Sequence, residues 1–303
     1  MSGLAHQALI YDEPEQLLAV AEPFVREGIE RGEPVMVILG AERERTLRER
    51  LGEDAAVVDF RAPSEWYETP PRTLAGYTHY LAAHHGGGRI RALGEPPYPD
   101  RSEPVVREWA RAEAILTIAF ADAAVDLVCP YDARRLPGSI VAHARRTHPL
   151  LCDGLGSVPN PDATDPHAYL ETLADRLDEP AGPVAELAFD ADPAIVRAFV
   201  TEQATYAGLH GEQLEALRVA AGELATNAIV HGRRPRRARV WEAAGQLVCE
   251  IEDGGAGVAS QLAGYLMPGT DARSGRGLWI ARQLCDRVEI EGARMRLHLV
   301  PAG

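Results

Sequence analysis

The stretch from Glu212 to Gly232, Glu-Gln-Leu-Glu-Ala-Leu-Arg-Val-Ala-Ala-Gly-Glu-Leu-Ala-Thr-Asn-Ala-Ile-Val-His-Gly, constrains this chain more than any other. Leu214, Leu217, Ala221, Leu224 and Ala228 recur at helical spacing and predict one apolar stripe. Glu223, Asn227 and His231 step by four residues, so they predict a polar stripe beside it. Gly232 is the expected stop. A carboxylate and a carboxamide one turn apart can share a metal ion or a water. Taken alone, the same stripe also reads as an ordinary solvated helix face.

Two glycine boxes follow. Ile251-Glu252-Asp253-Gly254-Gly255-Ala256-Gly257 reads as a strand running into a turn that opens with an Asp, and Ser274-Gly275-Arg276-Gly277-Leu278 leads into another helix. Such glycines let backbone N–H groups approach phosphate, and a helix N-terminus adds a favourable dipole. Either box alone says little. The ordered set E-x-x-x-N, D-G-G-x-G, G-x-G-L between Glu223 and Leu278 says much more.

That set resembles the GHKL ATPases, the fold shared by histidine kinases, gyrase B and their relatives. Glu223-Leu-Ala-Thr-Asn227-Ala-Ile-Val-His231-Gly232 and Gly275-Arg276-Gly277-Leu278-Trp279 look most like the small anti-sigma-factor serine kinases of the RsbW and SpoIIAB type. The resemblance spans about residues 184–303. It implies that Asn227 holds the Mg²⁺ bridging the ATP phosphates and that Glu223 is the general base. Asp253 would read the adenine amino group, with Gly255, Gly257, Gly275, Gly277 and Leu278 lining the nucleotide and its lid. The residue chemistry agrees, since Mg²⁺ takes oxygen ligands plus phosphate and a nearby carboxylate can polarise a hydroxyl or water. Arg276, inside the second box, suits bidentate phosphate contact, a surface Arg being the alternative.

The 303 residues are enough for two domains. The net charge of −14 argues against nucleic acid or an anionic membrane as the main ligand. All 31 basic residues are Arg, which excludes the phosphate-loop Lys of P-loop NTPases and the strand Lys of eukaryotic-type kinases. Cys129, Cys152, Cys249 and Cys285 show no C-x-x-C spacing, so no disulfide framework or zinc ribbon is expected. Neither a signal peptide nor a membrane span is apparent, and the expectation is a reduced, cytoplasmic, soluble protein.

The first half alternates strand and helix patterns, which argues a doubly wound α/β domain. Strands are expected at Ala8–Tyr11, Pro34–Leu39, Ala55–Phe60, Arg89–Leu93 and Val125–Cys129. Helices are expected at 17–29, 41–51, 73–85, 102–120, with Ser102 as N-cap, and 139–146. There is no phosphate loop. His6 with Tyr11, Gly28 to Glu33, the helix from Trp109 to Phe120, Cys129-Pro130-Tyr131-Asp132 and Thr147-His148-Pro149 resemble the MEDS sensory domain, over about residues 4–175. That resemblance implies a RecA-like fold without an ATPase site and leaves open a small-molecule signal there. Asp178 to Pro183 reads as a linker, giving domains of 1–180 and 181–303. In the second, a strand at 186–189, a helix from Asp192-Pro193 to about Gly208 and a hairpin around Gly245 are expected, with a lid over 259–274, a helix at 277–285 and a closing hairpin. The fold class is therefore α/β throughout: a doubly wound RecA-like sensory domain, then a GHKL (Bergerat) α/β sandwich, a mixed sheet with helices on one face.

Other residues carry open alternatives. His79, His84, His85, His143 and His148 read either as metal ligands or pH sensors, or as surface and capping residues. Cys129 and Cys152 read either as redox partners or as small buried hydrophobes. The run Arg233 to Arg239 reads as a solvated hairpin loop facing acidic partners rather than a nucleic-acid patch. The resemblances together imply a cytoplasmic anti-sigma regulator that binds ATP and Mg²⁺. It would sequester a sigma factor and phosphorylate a Ser of an anti-anti-sigma (STAS-domain) partner, with no direct nucleic acid or membrane contact, and they leave open a homodimer. The alternatives are a non-catalytic ATP-binding partner-switching module and an orphan sensor histidine kinase. The second is disfavoured because no phospho-acceptor helix with a dimerisation hairpin precedes the ATPase half.

Overall fold

The structure is a computed structural model that describes residues 3–84, 86, 88–98, 102–152, 156–268 and 275–301. The chain divides into two compact units, Met1–Leu173 and Ala174–Gly303.

The first unit runs β1 (Ala5–Tyr11), α1 (Pro14–Glu30), β2 (Val35–Ile38), α2 (Ala41–Leu51), a 3₁₀ turn (Gly52–Val57), β3 (Asp59–Arg61), α3 (Pro63–Trp66), α4 (Pro70–Ala83) and β4 (Ile90–Gly94). It continues with α5 (Glu103–Ala119), β5 (Val125–Asp132), α6 (Gly138–Thr147), β6 (Leu150–Cys152), β7 (Ser157–Pro159) and α7 (Pro166–Thr172). The sheet order is β3-β2-β4-β5-β1-β6-β7. Every pairing is parallel except β6 with β7. Val35 and Val37 join α1 and α2 in one core cluster, while Met36 and Ile38 between them are also fully buried. A strand whose alternate residues are all buried is covered on both faces, as a doubly wound sheet requires.

Local sequence explains most of these boundaries. Pro14 in the first turn and a capping box between Glu13 and Gln16 start α1. Thr69 caps α4 by accepting from the Arg72 N–H, and Asp165 caps α7 by accepting from the Ala168 N–H. Two expectations need correction. The segment expected as strand Ala55–Phe60 is a 3₁₀ turn followed by the short β3, because its apolar residues are not in a strand's alternating burial: Val57 is exposed while Val58 alone is buried. Ser102 does stand at the N-cap of α5, but its side chain makes no capping bond.

The second unit runs β8 (Ala185–Ala188), α8 (Pro193–Tyr206), α9 (Gly211–Val230), β9 (Arg236–Ala243), β10 (Gln246–Asp253), α10 (Arg276–Leu284), β11 (Arg287–Glu291) and β12 (Arg294–Leu299). The sheet order is β11-β12-β10-β9-β8, and every pairing is antiparallel. The sheet is therefore not mixed. α8, α9 and α10 bury their apolar stripes against Val240, Leu247, Cys249, Ile251, Leu297 and Leu299. Leu217 and Leu224 of α9 are fully buried there, each stabilising by roughly 1.5–3 kcal/mol relative to exposure.

The opposite face of that sheet is polar and also buried. Glu250 is fully buried and accepts from Arg239 Nε at 2.9 Å, Arg296 Nε at 2.6 Å and Arg294 Nη2 at 3.2 Å. The register sets this up, since Arg239 and Arg296 sit directly across from Glu250 on its two neighbouring strands. The segment after Leu173 covers this face: Asp175 accepts from the Ile290 N–H at 2.9 Å, and the Leu177 carbonyl accepts from Arg294 at 2.9 Å. The Arg run is thus corrected as well. Arg236 to Arg239 belong to β9 rather than to a solvated loop, and Arg236, Arg237 and Arg239 bond to carbonyls and carboxylates of their own unit.

Candidate functional site

The end of α9 and the end of β10 are clasped together. The Arg233 N–H and the Gly255 N–H donate to Asp253 Oδ1 at 3.1 and 2.6 Å, and the Gly254 N–H donates to the Arg233 carbonyl at 2.7 Å. Close backbone approach makes this clasp possible. A Cβ on Gly232 would stand 2.3 Å from Asp253 Cγ, and one on Gly255 would stand 2.6 Å from Asp253 Oδ1. The Asp253 carboxylate is therefore fixed through one oxygen, which leaves Oδ2 to meet a ligand donor.

Beside this clasp lies a cavity of about 260 Å³, lined by Asn227, His231, Gly232, Asp253, Gly257, Val258, Ala263, Gly264, Gly275, Leu278 and Met295. Asn227, Asp253, Gly257, Gly275 and Leu278 come from the three sequence motifs, and the fold brings them to one concavity. Glu223, Gly255, Arg276 and Gly277 are outside its lining. Val258, Ala263, Gly264 and Met295 were not legible as site residues. They are ordinary small or apolar residues: Val258 directly follows the first box, Ala263 and Gly264 fall in the expected lid, and nothing local marks Met295.

The glycines act differently from one another. Gly275 caps α10 with φ +94°, a conformation that favours glycine. Gly277 has no such φ, but a Cβ there would lie 2.7 Å from Glu223 Oε2 and 3.3 Å from Asn227 Nδ2. An added Cβ would force the Glu223 carboxylate to shift and press on the α9 side chains beside it. The half-buried Glu223 thus packs against a helix N-terminus, where negative charge is favoured. Arg276 is exposed at the start of α10.

The region expected as a lid, 259–274, divides in two. Residues 269–274, including Ser274, lie outside the described residues. Residues up to 268 are held down: Tyr265 is buried beneath the Arg282 guanidinium, 3.9 Å from its ring centre, and Arg282 donates to the Ala263 and Val288 carbonyls at 3.0 and 2.9 Å.

Residues 189–300 match the family model described as the histidine kinase-like ATPase domain. Residues 5–149 match that of MEDS, the MEthanogen/methylotroph, DcmR Sensory domain. No curated protein matches the chain. The ATPase-domain match supports an ATP-binding, kinase-like regulatory role. The donor set fits a nucleotide: a fixed carboxylate for a base amino group, apolar Val258, Leu278 and Met295 for a ring, and the Asn227 carboxamide oxygen for a hard cation.

In the MEDS-like unit, a larger cavity of about 520 Å³ is lined by residues that include Val106, Arg107, Ile140, His143, Arg146 and Tyr169. His84 Nδ1 bonds the Tyr80 carbonyl at 2.9 Å, and His143 bonds the Tyr169 hydroxyl. His85 lies outside the described residues. Cys129, Cys249 and Cys285 are buried, Cys152 is half-buried, and none of the four is in a disulfide. Burial pushes the Cys249 thiol up to about 12, so it stays protonated and unreactive at neutral pH. No helix among the described residues is long and apolar enough to cross a membrane.

Proposed function

We propose that the ATPase-like unit binds Mg²⁺–ATP and transfers its γ-phosphoryl group to a Ser of an anti-anti-sigma (STAS-domain) partner, and that the chain sequesters a sigma factor in the cytoplasm when that partner is absent. One observation carries this reading: Asn227, Asp253, Gly257, Gly275 and Leu278 line one cavity. Asp253 Oδ2 would accept from the adenine amino group, Asn227 would hold Mg²⁺, and the backbone N–H groups at the start of α10 would face the phosphates. Bound ATP supplies the electrophilic phosphoryl group.

Glu223 stands one turn before Asn227 on the same helix. As general base it would take the proton of the attacking Ser hydroxyl as the new P–O bond forms and the bond to ADP breaks. The cavity of about 520 Å³ in the MEDS-like unit is the natural place for a small-molecule signal.

Radiolabel transfer from γ-labelled ATP to a purified STAS-domain protein tests the proposal. Label on a Ser of the partner is the expected result. Nucleotide-sensitive sigma-factor binding without transfer would favour a non-catalytic switching module, the reading that Glu223's place outside the cavity lining keeps in play.

A further inference from the structure

A second cluster of ligand-type side chains lies deep in the MEDS-like unit. His6 comes from β1, Glu113 from α5, Cys129 from β5, and His148 directly follows α6. Among the described residues these four form a fully buried group whose ligand atoms all lie within 4.8 Å of one another. His6 Nε2 is 3.2 Å from Glu113 Oε2 and 3.6 Å from Cys129 Sγ, and His148 Nε2 is 3.7 Å from Glu113 Oε2. Ligands at zinc-type bond lengths of 2.0–2.3 Å sit about 3.3–3.8 Å apart around a tetrahedral ion, so these separations are those of ligands on a common centre.

Hydrogen bonds behind the imidazoles decide what faces that centre. His148 Nδ1 is 2.9 Å from the Ala144 carbonyl, which can only accept, so the proton is on Nδ1. Thr117 Oγ1 gives its own proton to the Glu113 carbonyl at 3.2 Å, so at 2.8 Å it accepts from His6 Nδ1. Both rings therefore turn a bare Nε2 lone pair inward. Glu113 Oε2 and His148 Nε2 are buried with no hydrogen-bond partner. Two imidazole lone pairs, a carboxyl oxygen and a sulfur converge there, and the only hydrogens they can share are those of the thiol and of a neutral carboxyl, which an entering cation displaces.

We propose that His6, Glu113, Cys129 and His148 bind one divalent transition-metal ion of the zinc class within the sensory unit. Thiolate and imidazole select zinc-like ions over Mg²⁺ and Ca²⁺, which prefer all-oxygen sites. The charges cancel: one thiolate and one carboxylate neutralise a 2+ ion, and the imidazoles add none. Such a site can be buried without an uncompensated charge. Tyr131 Oη donates to Glu113 Oε1 at 3.3 Å, which leaves Oε2 for the ion. With four protein ligands the site is of the closed, structural type rather than a hydrolytic one.

The test uses the full-length protein, stripped with a chelator and titrated with Co²⁺ or Zn²⁺ without nucleotide. One ion per chain is expected, with the visible bands of tetrahedral Co²⁺ and a near-ultraviolet thiolate charge-transfer band. Cys129→Ser should abolish the charge-transfer band, and His148→Gln should weaken Zn²⁺ binding by more than about a hundredfold, with far-ultraviolet circular dichroism unchanged. If either variant fails to fold, the wild-type spectrum and the metal-to-protein ratio decide alone. Metal uptake well below one ion per chain, or a Co²⁺ spectrum without thiolate character, overturns the proposal.

Discussion

Asp253→Asn is the sharpest test of the nucleotide site. In the wild type, Oδ1 already accepts from the Arg233 and Gly255 N–H groups at 3.1 and 2.6 Å. Asparagine keeps a carbonyl oxygen for those two bonds, so the clasp between α9 and β10 should survive. The change falls on the other position, where an acceptor oxygen becomes an NH₂ donor facing the adenine amino group. Losing a hydrogen bond to a charged acceptor costs about 1.5–3 kcal/mol, or roughly 10- to 140-fold in affinity. Isothermal calorimetry should therefore show ATP and ADP weakened alike, with the thermal midpoint little changed. GTP should gain relative to ATP, because guanine presents a carbonyl where adenine presents its amino group. Asp253→Ala should behave differently, since it strands the Arg233 and Gly255 N–H groups and lowers stability by about 1–3 kcal/mol for each that stays unpaired. Wild-type ATP affinity in Asp253→Asn would refute the assignment of adenine recognition to this carboxylate.

Three further outcomes are expected. Glu223→Gln should leave ATP affinity nearly intact and slow phosphotransfer by about 10²–10⁴-fold, whereas Asn227→Ala should depress both; equal loss of affinity in the two would make Glu223 a structural support of α10. Gly277→Ala gains about 1 kcal/mol of helix propensity but drives a Cβ to 2.7 Å from Glu223 Oε2, which costs about 1–3 kcal/mol; a variant more stable in urea with unchanged ATP affinity would show that the close approach of α10 is dispensable. The Glu289 carboxyl is raised by burial but, on balance, held below its usual range by its hydrogen bond at 2.6 Å and charge interaction with His298 and by the nearby Arg287 and Arg296. Its folded pKa is depressed, so its stabilisation is present above the unfolded pKa and is lost as pH falls through the folded one. Glu289→Gln should be less stable than wild type at pH 7, and the gap in urea midpoint should close below about pH 4.5; a gap independent of pH would exclude the ionic contribution.

Patterns that depend only on neighbours along the chain were readable in advance. The stripe of Leu217, Ala221, Leu224 and Ala228 faces the core as its spacing requires. Pro193 opens α8 behind an Asp192 that caps the Ala194 N–H. Met295, Leu297 and Leu299 alternate into the core from β12. Periodicity and capping are local, and burial of an amphipathic face follows from them. The three motifs were legible as a set for a related reason: each is a short run whose residue types are needed at fixed offsets.

What the chain could not show in one dimension is set by pairing between distant segments. β9 extends back to Arg236 because Arg239 finds Glu250 across the register, an ion pair that no local pattern announces. Gly277 resembles a phosphate-loop glycine in sequence, yet its space is filled by the Glu223 side chain of another helix. His6, Glu113, Cys129 and His148 are spread across the first unit at no ligand-like spacing. They meet only because β1 lies beside β5 in the sheet, with α5 and the end of α6 packed against the same face. The sequence by itself determined most of the helices and strands and the motifs they carry, but not the 3₁₀ turn before β3 or the start of β9 at Arg236. The tertiary structure decided which side chains share a cavity, because distance in space depends on sheet order and helix packing rather than on separation along the chain.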